Sequence, residues 1–199
     1  MPNIYPMILG DYQTNCYLVW GGDSDTCVVI DPGYAPEQVL ARAESLGKRI
    51  EAILLTHGHF DHVGGVRGIA AETDCDVYLC KLDRTMPPQL TAGPLHFTHT
   101  YEEGDTVQAA GLTFRVLHTP GHTPGSVCLA AEDALFSGDT LFAGSCGRTD
   151  LPGGSWEEIT HSLDRLSRLP GAFTVYPGHG EFTTLDRERQ FNPYMRGTL

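Results

Sequence analysis

Glu51-Ala52-Ile53-Leu54-Leu55-Thr56-His57-Gly58-His59-Phe60-Asp61-His62 sets an apolar run directly before three imidazoles and a carboxylate. On a helix His57 and His59 would point about 200° apart, too far round to share one ion. The histidines are therefore expected on an extended loop, behind a strand at residues 52–55. Residues two apart then face one side, so His57 and His59 can grip one cation while Asp61 and His62 turn toward a second. Gly58, Gly64 and Gly65 let the backbone make that turn. A single histidine here would read as a surface residue, but this cluster behind a strand reads as a metal-binding pattern.

Upstream, β-rich runs at residues 4–9, 14–20 and 26–30 are separated by Gly10-Asp11 and by Gly21-Gly22-Asp23-Ser24-Asp25, which read as turns. Asp31-Pro32-Gly33 stops the third strand. Pro36 then opens a helical pattern through Val39, Leu40, Ala43 and Leu46 that Gly47 closes. Downstream, residues 63–72 read as a helix with Gly64, Gly65 and Gly68 against it, and residues 77–80 as a short strand. Residues 86–98 are the longest irregular stretch, expected as a surface loop bordering the cleft.

Strands at 106–109 and 112–117 lead into His118-Thr119-Pro120-Gly121-His122-Thr123-Pro124-Gly125, whose prolines and glycines fix a path suited to holding a ligand. Strands at 127–131 and 134–137 end at Gly138-Asp139. Ser155 caps a helix running to about residue 169, with Glu157 and Glu158 in its first turn and Arg165 and Arg168 near its end, as the helix dipole favours. A strand at 173–176 delivers Gly178-His179-Gly180, and residues 183–190 form a closing helix. Alternating strands and helices with frequent hairpins predict an α/β chain of mixed sheets with helices packed outside.

The 199 residues suit one domain spanning 1–199, with an apolar share of 41% that can bury a core without staples. A formal charge of −12 disfavours nucleic acid and anionic membranes, so neither is expected as a partner. The N-terminus lacks a basic stretch before an apolar core, and no run approaches the ~20 apolar residues of a membrane span. A cytoplasmic protein is expected. Cys16, Cys27, Cys75, Cys80, Cys128 and Cys146 show no C-x-x-C pair and read as reduced core residues.

Three further donors each follow a strand: His122, Asp139 and His179. Thr56-His57-Gly58-His59-Phe60-Asp61-His62 resembles the T-H-x-H-x-D-H signature of the metallo-β-lactamase superfamily of binuclear metallohydrolases. The resemblance implies a four-layer αββα sandwich of two mixed β-sheets with helices on the outer faces and the site at one edge. It also implies that His57, His59 and His122 hold a first ion, that Asp61, His62 and His179 hold a second, and that Asp139 bridges them. Imidazoles with carboxylate oxygen suit Zn²⁺ first, and also Fe or Mn. A hydroxide shared by two cations about 3.5 to 4 Å apart is a strong nucleophile near neutral pH, and the same cations can hold an oxyanion. Asp61 is the candidate for orienting that hydroxide.

Gly138-Asp139-Thr140-Leu141-Phe142-Ala143-Gly144-Ser145-Cys146-Gly147-Arg148 looks like the corresponding loop of the glyoxalase II (hydroxyacylglutathione hydrolase) branch. That likeness implies a contact between Arg148 and a substrate carboxylate, which a guanidinium can bind bidentately. The plain alternative is a solvated arginine. Thr149-Asp150-Leu151 departs from the aromatic stretch of full-length members, while residues 183–190 and Asn192-Pro193-Tyr194 look like the end of the short, single-domain bacterial forms. The expected reaction is hydrolysis of a small anionic acyl thioester such as S-D-lactoylglutathione.

Persulfide dioxygenases, which use one iron, share these motifs and are the alternative. The best-known lactam-cleaving classes place a cysteine where Asp139 stands, and the motifs do not separate lactonases from thioesterases. A non-catalytic metal-binding protein would act on none of these substrates. His118 is a candidate for hydrogen-bonding a ligand, His96, His99 and His161 read as surface residues, and Cys146, with no base beside it, as structural.

Overall fold

Neighbouring residues of the central strands belong to different cores, and that division builds the layers. The structure, a computed structural model, describes residues 1–91 and 93–197. Thr198 and Leu199, and Ala92 of the expected 86–98 loop, lie outside the described residues. The first sheet runs in chain order: β1 (Asn3–Leu9), β2 (Thr14–Trp20), β3 (Thr26–Ile30), β4 (Arg49–Leu54), β5 (Asp76–Cys80) and β6 (His99–Tyr101). Its first three strands pair antiparallel and the rest parallel. Parallel neighbours need crossovers, which α1 (Pro36–Ser45) supplies between β3 and β4, and α2 (Phe60–Val63) with α3 (Val66–Thr73) between β4 and β5. The short helix α4 (Pro88–Thr91) lies between β5 and β6.

The second sheet contains β7 (Thr106–Ala109), β8 (Leu112–His118), β9 (Val127–Ala131) and β10 (Ala134–Gly138), all paired antiparallel. A small hairpin of β11 (Leu141–Phe142) and β12 (Ser145–Cys146) follows, then α5 (Trp156–Ser167). The chain returns as β13 (Thr174–Pro177), parallel to β10, and β14 (Thr183–Thr184), and closes with α6 (Leu185–Phe191).

Side chains alternate across a strand, so each central strand feeds two cores. Tyr17, Val19, Val28, Ile30, Ala52 and Leu54 meet Phe114, Val116, Leu129 and Phe136 between the sheets. The intervening Cys16, Leu18, Cys27, Val29, Ile53 and Leu55 pack outward on Val39 and Ala43 of α1 and on Val66 and Ile69 of α3. On the far side Leu117, Cys128, Leu135 and Val175 pack on Leu163 and Leu166 of α5 and Leu185 of α6. Three cores between four layers are the αββα sandwich, and cover on both faces explains strands buried along nearly their whole length.

Four local expectations are corrected. The helix expected at 63–72 is two, because Gly64 and Gly65 press against the Gly33 and Pro32 carbonyls where a Cβ would collide, and the Gly65 amide bonds Pro32 O at 2.8 Å. The 86–98 stretch contains α4. The 183–190 helix starts late, since Thr183–Thr184 pair with β13 and the Thr184 hydroxyl caps α6 by accepting from the Arg187 amide. Strands β6, β11 and β12 were not foreseen, each too short to show alternation. Ser155 caps α5 as expected, accepting from the Glu158 amide at 3.2 Å. All six cysteines are free thiols, with Cys146 alone half-buried.

Candidate metal centre

Strands β3, β4, β8, β10 and β13 carry Asp31, the His57–His62 segment, His122, Asp139 and His179 just beyond their C-terminal ends. Cross-links between the sheets hold those ends together. The Asn15 amide donates to Gly178 O at 2.7 Å, the Tyr17 hydroxyl to Pro177 O at 2.6 Å and the Val127 amide to Thr56 O at 2.9 Å. His59 is extended, as expected, but Asp61 and His62 belong to the single turn of α2 rather than to an extended loop. That turn, closed by the His62 amide on His59 O at 2.9 Å, brings both side chains back beside the first two histidines.

The structure brings all seven candidate donors together. His57, His59 and His122 form one group with a nitrogen each within 4.8 Å of the others, and Asp61, His62 and His179 form a second. Asp139 lies between them, Oδ1 at 3.4 Å from His62 Nε2, and Oδ2 at 3.4 Å from His122 Nε2 and 3.6 Å from His179 Nε2. Gly178 permits that approach, because a Cβ there would run into Asp139 Oδ1 and the His62 ring. A Cβ on Gly147 would likewise strike Asp139 O.

In four of the five rings one nitrogen is committed to the protein. His57 Nδ1 faces the Thr56 hydroxyl at 3.2 Å, His62 Nδ1 the Asp31 carboxylate at 2.9 Å, His122 Nδ1 the Arg148 carbonyl at 2.8 Å, and His179 Nδ1 the Tyr12 carbonyl at 3.1 Å. Each partner accepts a proton, which fixes the lone pair on Nε2, aimed into the cage. His59 differs, its Nδ1 lying 2.9 Å from His122 Nε2. His57 Nε2, His59 Nε2, His62 Nε2 and Asp139 Oδ1 are buried without a hydrogen-bond partner. Orphaned polar atoms in an interior are costly, and the histidines that carry them stand in groups whose donor atoms lie within 4.8 Å of one another, as a cation needs. This donor set of imidazoles and carboxylates fits Zn²⁺, Fe or Mn.

Burial, and then neighbouring imidazoles, push His57 well below its ordinary pKa and His59 down to about 4, so both rings are neutral donors. For His62 burial acts downward too, but the Asp139 and Asp31 carboxylates win and raise it to about 9. Burial would raise Asp61, yet its bond with His179 and the charge of His62 hold it well below the carboxylate range.

Two aspartates that the sequence reading passed over hold this cage. Asp31, read only as a strand stop, accepts from the Thr56 amide at 2.8 Å, the Thr56 hydroxyl at 2.6 Å and His62 Nδ1 at 2.9 Å. Although its oxygens also lie near His57 and His62, these bonds make it a holder of ligands. A charged residue closing an apolar strand was the available signal. Asp83, 0% exposed, accepts from the Gly58 amide at 3.0 Å, the Thr123 hydroxyl at 2.8 Å and the Gly125 amide at 2.7 Å, tying the His57–His59 loop to the His122 loop. Nothing in the sequence around it marks that role.

A cleft of about 590 Å³ opens over His59, Asp61, His122, Asp139 and His179, walled by Tyr12, Phe60, Leu90, Phe142 and Leu151, with Cys146 and Arg148 also on its lining. Arg148 is 62% exposed and forks Asp150 through two bonds of 2.7 Å. His118 lies apart from the cage and bonds Pro124 O at 2.8 Å. His161 is exposed, His96 is half-buried, and His99 stacks on Tyr78 at 4.9 Å. Burial raises the Cys146 thiol to about 11, the direction of an inert thiol.

Residues 9–179 match the family model of the metallo-beta-lactamase superfamily. A hydroxyacylglutathione hydrolase, GloC, of Haemophilus influenzae is 32% identical, over 92% of this chain and 93% of that one. Among solved structures, BLEG-1 B3 metallo-beta-lactamase superposes with a TM-score of 0.89 at 35% identity, covering 97% of this chain and 99% of its own. TTHA1623 in a di-iron-bound form superposes with a TM-score of 0.84 at 42% identity, covering 96% and 99%.

Proposed function

This chain belongs to the metallo-beta-lactamase superfamily, and from that premise we propose a hydrolase of small acyl thioesters that works with two divalent ions, zinc before iron or manganese. The observation that carries the reading is the pair of donor groups beneath the cleft, each with its ligand atoms within 4.8 Å of one another. His57, His59 and His122 would hold one ion, Asp61, His62 and His179 the other, with Asp139 shared. Bound there, the pair would lower the pKa of water and polarise a carbonyl.

The remaining work falls to the chain. Asp61, which accepts from the Thr14 hydroxyl at 3.3 Å, is placed to orient a water and take up its hydrogen bond. Phe60, with Tyr12 edge-on to it at 5.0 Å, and Phe142 and Leu151 exclude solvent from the reacting carbonyl. Arg148 holds Asp150 in the fork that a substrate carboxylate would need, so an anionic thioester would take that carboxylate's place. The relative named a hydroxyacylglutathione hydrolase supports S-D-lactoylglutathione as the first substrate to try.

The chain is read as one functional unit over residues 1–199, acting in the cytoplasm without nucleic-acid or membrane partners. Free thiols support a reducing compartment, and among the described residues no helix is long and apolar enough to cross a membrane. Thiol release from S-D-lactoylglutathione by zinc-loaded protein, lost in His59→Ala with the fold retained, is the expected result. Cleavage of lactones or lactams with no thioester turned over would overturn the substrate class. A second reading, oxidation of a persulfide at a single iron, needs only one of the two donor groups, whose imidazoles also suit iron. Oxygen uptake with a persulfide by iron-loaded protein would select it.

A further inference from the structure

The β11–β12 hairpin is too small to hold its own shape. It has two residue pairs, Leu141 with Cys146 and Phe142 with Ser145, and an isolated hairpin even of ordinary length is marginal in water. Yet it supplies Phe142, Ser145 and Cys146 to the cleft, and Arg148 follows two residues later. Something else must fix it.

We propose that Glu188 and Asn192 are positioning residues that clamp this hairpin from the C-terminal helix and so set the cleft's affinity for the thiol portion of a thioester. Glu188 is 1% exposed and Asn192 0%. A buried carboxylate is tolerated when its oxygens are saturated, and these are. Oε2 accepts from the Gly144 amide at 2.7 Å and Asn192 Nδ2 at 2.9 Å, and Oε1 from the Thr183 hydroxyl at 2.6 Å and Arg187 Nη1 at 2.9 Å. Asn192 Nδ2 also donates to Ser145 O at 3.0 Å and Phe142 O at 3.4 Å. Three backbone groups of the hairpin are thus held by two side chains of the tail. Leu141 and Leu185 join one core beneath them.

Both residues lie beyond position 179, where the family match ends. The clamp's hydrogen bonds go to the hairpin and to residues of the tail and not to the seven cage residues, which separates its effect from metal loading. The assignment to the thiol portion rests on the thioester reading, in which the part of the substrate that reaches Arg148 runs along this hairpin.

The test compares S-D-lactoylglutathione with methyl thioacetate, which is too small to span cage and hairpin, and follows zinc content and amide exchange alongside. Asn192→Ala should raise KM for the glutathione thioester about tenfold, the scale of one lost polar anchor, with kcat within about twofold. KM for methyl thioacetate and zinc content should not move. Exchange should accelerate over residues 141–147 while 57–62 stay protected. Phe142→Ala, which also opens the wall over the reacting carbonyl, should raise KM for the glutathione thioester and lower kcat for both substrates, and the double variant should cost less in KM than the sum, since both residues shape one wall.

Equal rises in KM for both substrates, a fully additive double variant or unchanged hairpin exchange would each overturn the proposal. If Asn192→Ala does not fold, Glu188→Gln, which keeps an oxygen for the Gly144 amide, should show a smaller effect of the same kind. A flat result there overturns it as well. If wild-type protein releases thiol from neither substrate, the thioester reading fails, and exchange alone judges the clamp: faster hairpin exchange above an intact cage upholds it, and unchanged exchange overturns it.

Discussion

The cage and the rim of its cleft lie side by side and are built in opposite ways. Each cage donor stands on a loop or turn that leaves a strand end, and most have a second atom anchored: His62 on Asp31, His122 on Arg148 O, His179 on Tyr12 O. At the rim, Arg148 stands in solvent and its guanidinium bonds one neighbour, Asp150, two residues away. An exposed pair of that kind is weak, whereas a donor locked by its neighbours cannot move without breaking several bonds. The fold therefore fixes the donor cage, while a short side-chain tether holds Arg148 at the rim. Substitutions in the two regions should differ in size and in kind.

The largest expected effect is Asp139→Ala, which removes the oxygens between the two groups and leaves two charged ions without a shared anion. Turnover should fall by at least about a thousandfold, with retained secondary structure by circular dichroism. Next comes the holding layer. Asp31→Ala strands His62 Nδ1 and the Thr56 hydroxyl, and Asp83→Asn loosens the joint between the His57 and His122 loops. Each should weaken zinc affinity about 10- to 100-fold by competition with a chelating dye, as loss of an outer-layer partner typically does. Wild-type zinc affinity in both variants would erase the distinction drawn for the cage.

Proton linkage separates two donors within the cage. In metal-free protein His59 falls to about 4 from an unfolded value near 6.5, so its stabilising contribution is present above pH 6.5 and is lost as pH drops toward 4. His62 rises to about 9, so its contribution is present below pH 6.5 and is lost as pH climbs through 9. The urea midpoint of metal-free protein should therefore decline on both sides of about pH 6.5. The smallest effect belongs to the rim. Arg148→Ala should raise KM several-fold for an anionic thioester and leave a neutral one unchanged, with kcat preserved in both. Equal changes on charged and neutral substrates would show that Arg148 only supports the loop whose carbonyl holds His122.

Legibility in the sequence followed the same division. His57, His59, Asp61 and His62 stand in one short stretch, and His122, Asp139 and His179 each close an apolar strand, so local pattern was enough to nominate them. The four layers were expected from the family resemblance, and the alternation of Tyr17 and Val19 with Cys16 and Leu18 shows how they are populated. Asp83 could not be nominated, because its partners Gly58, Thr123 and Gly125 are 25, 40 and 42 residues away. The split of the 63–72 helix was equally hidden, since the crowding of Gly64 and Gly65 comes from Gly33 and Pro32 across the chain. The clamp on β11–β12 joins residues more than forty positions apart and carries no local signature.

The central claim is that the two groups of donors hold two ions through one shared carboxylate. Elemental analysis of protein saturated with zinc and freed of excess tests it most directly. Two ions per chain are expected in the wild type and fewer than two in Asp139→Ala. One ion or none in the saturated wild type, or two retained in Asp139→Ala, would contradict it.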